Sequence, residues 1–497
     1  MPLAFSLIDA CYQSEQITCG CTHRDQMSQM NKMSEGAAPP LGKHSTCKDP
    51  QMSAEFAPVA AFTQNPKVPD SARAMAAVLL IDTLGVAAAA HDLEPARIAR
   101  DFAVDFHGAG SAEHSATLLF DGRRASVPGA AFAAATQIDN LDAHDGYNPT
   151  KGHIGCAVVP ALCAFAERHS DLRSRDALDI LAMSYEVGAR AAIALHRTVS
   201  DYHTSGAWNA LAVAAIGCRL LGASEIQMRE ALGIAEYHGP RSQMMREIAN
   251  PTMLHDGSGM GALTGSMAAL LALRGFQGAP ALTVEEPRVA DIWSTLGDDW
   301  TIEKNYIKPY PVCRWAHAPL DALQRLMRNH HLSADQIAAL HVNTFRESAA
   351  LYPGMPETTG QAQYSLAFAL AAMMVHGHVG PQQVSGPGLA DDKVAKQLGK
   401  IHVTEKARHS ERFPKHRFAD ISIELTDGRV LESGDQEARG GPEEPLDRHE
   451  IAEKFTLFAA PVLGSTRAQK IWQMTDDMLA PDHMFKDLLS LVLPAPH

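Results

Sequence analysis

The chain has 497 residues, 46% of them apolar and 20% charged, with a formal net charge of −14. Such a composition is that of a globular protein long enough for two or three domains, neither disordered nor fibrous. The acidic balance argues against a nucleic-acid or anionic-membrane binder, since both need clustered basic surface. The longest uninterrupted apolar stretch, Leu366 to Val375, is about half a bilayer crossing, so no membrane span is expected.

Residues 1–51 are rich in Gln, Ser, Thr, Met and Cys and lack apolar periodicity, and they read as a disordered extension. Cys19, Cys21 and His23 open a CxCxxH pattern with no matching second half. Cys156, Cys163, Cys218 and Cys313 are scattered, nothing forms a disulfide framework, and no apolar h-region follows Met1. The expected compartment is therefore a reducing cytoplasm.

From about residue 69, Ala-rich segments carry apolar residues at three and four spacing: SARAMAAVLLIDTLGVAAAA, GAAFAAATQIDNLDA, CAVVPALCAFAERH, RDALDILAMSYEVGARAAIALH and NALAVAAIGCRLLG. Ser224 and Gln227 form a capping box before QMREALGIAEYHG, and GALTGSMAALLALRGF reads as a further close-packing helix. No strand is expected before about 300. Beyond it the period changes: AALHVNTF, GKIHVTEKA and the alternation of Ile421, Ile423 and Leu425 before Asp427-Gly428 predict strands and a hairpin. Helices are expected from Ser333, again with a capping box, and through SLAFALAAMMVHG. A Gly/Pro stretch, ARGGPEEP, then leads to two terminal helices. The expected fold is mainly α: an all-helical domain built from 52–300 and 441–497, with a smaller α+β lid, 301–440, inserted between them.

Four polar helix entrances stand out. LDAHDGYNPTKGHIG crowds Asp142, His144, Asp145 and His153 into a loop before a helix, where free N–H groups and the dipole favour an anion. His203 precedes Thr204, Ser205 and an apolar helix, and either hydroxyl could simply be its cap. His255 and Asp256 precede GSGMGALTG, which matches no phosphate-binding glycine motif. Lys308, Tyr310, Arg314 and His317 cluster in NYIKPYPVCRWAHAPLDAL. Together they suggest a convergent anion-binding cleft. No ligand set with common metal spacing follows residue 51, so no metal and no cofactor is expected.

These segments, with the closing GGPEEPLDRHEIAEKF, resemble the MmgE/PrpD family over roughly residues 55–490, in order and spacing. The family includes 2-methylcitrate dehydratase, cis-aconitate decarboxylase and iminodisuccinate epimerase. The resemblance implies homodimers, a helical domain drawn from both chain ends, a smaller lid and a cleft between them. It carries the family's catalytic aspartate onto Asp142, its histidines onto His153 and His203, and its lid lysine onto Lys308. Asp145, His255, Tyr310, Arg314 and His317 are the expected substrate contacts. The Asp142–His153 loop runs one residue longer than in the decarboxylase, Gly146 replaces its threonine, and a lysine expected near TMLHDG is absent. These departures point away from the decarboxylase.

The shared chemistry is bond breaking beside a carboxylate. β-Elimination of water needs a base for the α-proton, an acid for the hydroxyl and cations for the carboxylates. The expectation is a cofactor-independent hydro-lyase acting on a 2-methylcitrate-like di- or tricarboxylate. His153 is expected to act as acid because Asp142 and Asp145 share its loop, and His203 as base. The alternatives are an epimerase of an imino- or amino-dicarboxylate, a cis-aconitate decarboxylase, or a non-catalytic carboxylate-binding helical dimer.

Overall fold

The computed structural model describes residues 53–496. The readings of residues 1–51, including Cys19, Cys21 and His23, lie outside them. The fold is mainly α. Ten helices of at least six residues precede residue 300: α1 (Ala57–Gln64), α2 (Asp70–Ala89), α3 (Glu94–Phe106), α4 (Val127–Asp139), α5 (Gly155–Ala166), α6 (Ser174–Thr198), α7 (Gly206–Leu220), α8 (Glu225–His238), α9 (Met244–Ala249) and α10 (Ser258–Ala272). The periodic segments all become helices, and both bonds of the Ser224–Gln227 capping box form. The helix α3, amphipathic with Pro95 in its first turn, had no place in the expectation.

Small residues set the helix spacing. A Cβ at Gly265 on α10 would meet Val213 Cβ of α7 at 2.7 Å and collide with the Ala210 carbonyl. Gly265→Ala is therefore expected to cost about 1–3 kcal/mol through forced backbone displacement. Gly108→Ala, with nothing within 4 Å of its Cβ, should stay within about 0.5 kcal/mol of wild type, as paired urea titrations would show. Helix α2 is long and apolar enough to cross a membrane by length and composition, but 78% of its most apolar window is buried, as befits a core helix.

One short hairpin corrects the expectation of no strand before 300: β1 (Ser115–Thr117) pairs antiparallel with β2 (Arg124–Ser126). Its turn contains Asp121-Gly122, the signal recognised at Asp427-Gly428, with Gly122 at φ 84°. Three-residue strands are too short for alternation to register.

After residue 300 the sheet runs β4–β3–β5–β6, formed by β3 (Ile337–Thr344), β4 (Ile401–Glu405), β5 (Phe418–Leu425) and β6 (Val430–Glu432). The short strand β7 (Gln436–Glu437) also pairs with β5. Strands β3 and β4 are parallel, whereas β3 and β5 are antiparallel with Leu340 opposite Ile423 and Val342 opposite Ile421. All four of those side chains are buried, and helices α11 (His317–His330) and α12 (Leu366–His376) pack on the sheet. The capping box at Ser333 forms, but it caps a single 3₁₀ turn, Ala334–Gln336, before β3 instead of a helix.

Three helices, not two, close the chain: α13 (Arg448–Leu463), α14 (Ser465–Asp477) and α15 (Phe485–Val492). Helices α13 and α14 pack on α2. The approach is close because Gly85 presents no side chain to the Phe455 ring. The ARGGPEEP stretch is no free linker. The Ile307 N–H donates to the Gly440 carbonyl at 2.9 Å, and Arg314 donates to the carbonyls of Ala438 and Arg439.

Candidate active site

The loop after α4, the entrances of α5, α7 and α10, and the segment carrying Lys308 meet around one buried cavity. Gly146 and Tyr306 exchange backbone hydrogen bonds of 3.1 and 2.7 Å, which lays the Lys308 segment along the loop. Lys308 Nζ then reaches Asp142 Oδ1 at 2.5 Å, and the two side chains are 0% and 6% exposed. Burial pushes the Asp142 carboxyl up from its ordinary value even though Lys308 and His153 pull it down.

His153 sits deep in the loop. Its Nδ1 lies 2.6 Å from the Asp145 carbonyl, which can only accept, so the Nδ1 proton is donated there and the Nε2 lone pair is left free. Nε2 faces Asp256 Oδ2 at 3.5 Å. Burial above all, then the Lys308 charge, lowers the His153 pKa to about 4. The imidazole is thus neutral near pH 7 and fits the role of base, not the expected acid. Asp145 offers it a carbonyl instead of a carboxylate, and the Asp142 charge is already matched by Lys308.

Ser205, one of the two hydroxyls that could cap α7, stands at its N-cap, yet its side chain makes no capping bond. It accepts the His153 N–H at 3.0 Å and donates to Asp256 Oδ1 at 3.1 Å, tying two helix entrances together. The Ser205 N–H also donates to Asp256 Oδ1, and the Ser258 N–H donates to Asp139 Oδ2. The protein's own carboxylates therefore occupy helix N-termini that looked open to a substrate anion. Burial raises the pKa of both acids, and the Asp256 charge raises Asp139 further.

Cations stand on the cavity wall instead. Lys151, Arg314 and Arg417 line the cavity with Asp142, His153 and Asp256, and Lys308, wholly buried, stands behind Asp142. Arg314 lies 4.3 Å from the Tyr306 ring centre, and burial lowers its pKa to about 10. Tyr202, Tyr306, Cys313 and Tyr364 complete the polar wall, with Met244, Ile248 and Trp315 beside them. Burial pushes the Cys313 thiol up to about 12, so it is no nucleophile at neutral pH. The cavity measures about 30 Å³, room for a water molecule or two. Among the described residues five non-glycines have positive φ, and three stand here: Asp142 (51°), Lys151 (57°) and His255 (47°). Such backbone persists only where its surroundings over-determine it.

Of the expected residues, Asp142, His153 and Arg314 line the cavity, Lys308 reaches it only through its bond to Asp142, and five stand apart from it. His203 pairs its backbone with Gln243 and gives its N–H to His196 Nε2, leaving Tyr202 on the wall. The Asp145 carboxyl lies by the Tyr185 hydroxyl, and burial raises its pKa to about 7. His255 packs on Tyr364, 5.7 Å between ring centres. Tyr310 donates to Asp321, and His317 Nε2 meets the Val312 carbonyl.

Metal-ligating atoms also gather. Asp139, His144 and Cys156, and separately Asp142, His144 and His153, hold ligand atoms within 4.8 Å of one another, and neither His144 nitrogen has a partner. The Cys156 thiol, however, is held well above its ordinary pKa by burial, and Asp142 is paired with Lys308. Both sets are poor donors at neutral pH. Dialysis against a chelator is expected to leave turnover unchanged, with elemental analysis of the dialysed protein as the check.

Two family models match the chain, the MmgE/PrpD N-terminal domain over residues 54–301 and the MmgE/PrpD C-terminal domain over residues 310–478. A cis-aconitate decarboxylase-like protein of Aspergillus oryzae is 24% identical over 397 residues, covering 70% of this chain and 79% of that protein. Cis-aconitate decarboxylase of Homo sapiens is 24% identical over 362 residues, 67% and 73% of the two chains. That of Aspergillus terreus is 24% identical over 400 residues, 70% and 76%. With both domain models matched in order along the chain, it belongs to the MmgE/PrpD family.

Proposed function

We propose that the chain is a lyase of the MmgE/PrpD type that eliminates water from a 2-methylcitrate-like di- or tricarboxylate. The observation that carries this reading is a neutral imidazole and a carboxylate, backed by the buried Lys308, lining one cavity with three further cations. His153 Nε2 takes the proton from the carbon beside a carboxylate. The electron pair left behind forms the double bond as the C–O bond breaks. The departing hydroxyl leaves as water with a proton from the Asp142–Lys308 pair, which solvent restores. Lys151, Arg314 and Arg417 hold the carboxylates.

Residues 301–440, which we read as the inserted lid, bring Arg314 and Arg417 to the wall and Lys308 behind it, while the helical part brings Asp142, Lys151 and His153. Ligand pockets usually enclose ~300–1,000 Å³. A cavity of about 30 Å³ therefore fits a closed arrangement that parts to admit substrate.

A second reading, decarboxylation of cis-aconitate, is favoured by the names of the relatives. It needs no acid for a leaving hydroxyl, and it gains nothing from cations around the departing carboxylate. The discriminating experiment incubates the protein in D₂O with 2-methylcitrate, citrate and cis-aconitate and follows each by NMR. Unsaturated product, with deuterium entering the α-position, is the expected result. Carbon dioxide release from cis-aconitate without dehydration would replace this reading by the decarboxylase, and binding without exchange or turnover would leave only a carboxylate-binding protein.

A further inference from the structure

The closing segment supplies no wall of the cavity, yet one of its side chains reaches the catalytic loop. Lys454, on α13, is almost wholly buried; its Nζ donates to Asp82 Oδ2 of α2 at 2.7 Å and to the Ala143 carbonyl at 2.8 Å. Ala143 follows Asp142, whose backbone is left-handed, and Asp145, two residues on, gives His153 its carbonyl. Lys308 holds the Asp142 side chain, but elsewhere the loop backbone is tied by neutral groups: Gln363 Nε2 to the Asn140 carbonyl, and Gly146 to Tyr306. The Lys454 bond is charge-assisted, in a dry environment, and grips the loop between the two residues that do the chemistry.

We propose that Lys454 is a positioning residue, which sets the 142–145 loop so that Asp142 meets Lys308 and His153 Nε2 faces the cavity. The activity arm of its test rests on the lyase reading above. The competing role is a simple counter-ion for Asp82 that joins two helices. The two roles separate because Asp82 and Ala143 are different partners of the same ammonium. Lys454→Met/Asp82→Leu removes both charges and fills the space with apolar atoms, so the helix contact survives while the Ala143 carbonyl loses its donor.

A positioning role predicts that this double variant melts close to wild type but loses kcat on the order of 10–10²-fold, with KM nearly unchanged. Amide exchange over residues 143–146 should quicken while α2 and α13 stay protected. Wild-type kcat together with wild-type exchange in the loop would overturn the proposal. Should the double variant fail to fold, Lys454→Gln, which keeps an N–H donor for Ala143, set against Lys454→Met carries the same comparison: loop exchange slower in Gln supports the proposal, and equal exchange sinks it. If the wild type turns over none of the acids, the lyase reading falls, and the exchange measurement still decides this one.

Discussion

His153→Ala should lower kcat by about 10²–10⁴-fold, the usual loss on removing a general acid or base. The pH dependence makes the expectation sharper. A pKa lowered to about 4 means the proton-accepting imidazole prevails at every pH above that. The wild-type rate should therefore rise with pH through about 4 and then level off on this limb, whereas an unperturbed histidine would place the rise nearer ~6.5. The variant should lose that limb. A variant keeping more than about a third of wild-type kcat, or a wild-type limb centred near neutrality, would assign the base to another group.

The second large effect belongs to the Asp142–Lys308 pair, joined at 2.5 Å with almost no exposure. Lys308→Met strands a buried carboxylate, and Asp142→Leu strands a buried ammonium. Each should destabilise the protein by about 3–5 kcal/mol and abolish turnover. Lys308→Met/Asp142→Leu should recover most of the stability and none of the activity, because no uncompensated charge remains. The interaction energy follows from a double-mutant cycle of denaturant melts. Additive losses in that cycle would show that the pair is not coupled.

Much of the fold was legible because long Ala-rich helices repeat their apolar spacing several times over, as in α2 and α6. The β5–β6 hairpin was legible from its Asp-Gly turn. Short elements escaped: β1 and β2 are three residues each, and the Ser333 box caps a single turn because β3 begins at once. At the site, the Asp142–His153 loop and Lys308 could be read as motifs. What could not be read was direction. Nothing in DAHDG says that the carbonyl of Asp145, not its carboxylate, meets His153, or that Ser205 turns from capping to bridging. Asp256 was noticed only as a neighbour of His255, and Arg417 sits in no motif at all. The neutral state of His153 arises from burial by segments far apart in the chain, which local spacing does not encode.

The small volume of the cavity bears on kinetics as well as on chemistry. A substrate cannot collide productively with a wall it cannot reach, so encounter must wait for an opening whose frequency the protein sets. Association should then fall well below the diffusional ceiling of ~10⁸–10⁹ M⁻¹s⁻¹, and it should saturate at high substrate concentration. An added viscogen would slow it only as far as it slows the opening. The cations that make the closed site attractive to a polyanion would act chiefly on its escape, giving a slow off-rate and a long residence for the product.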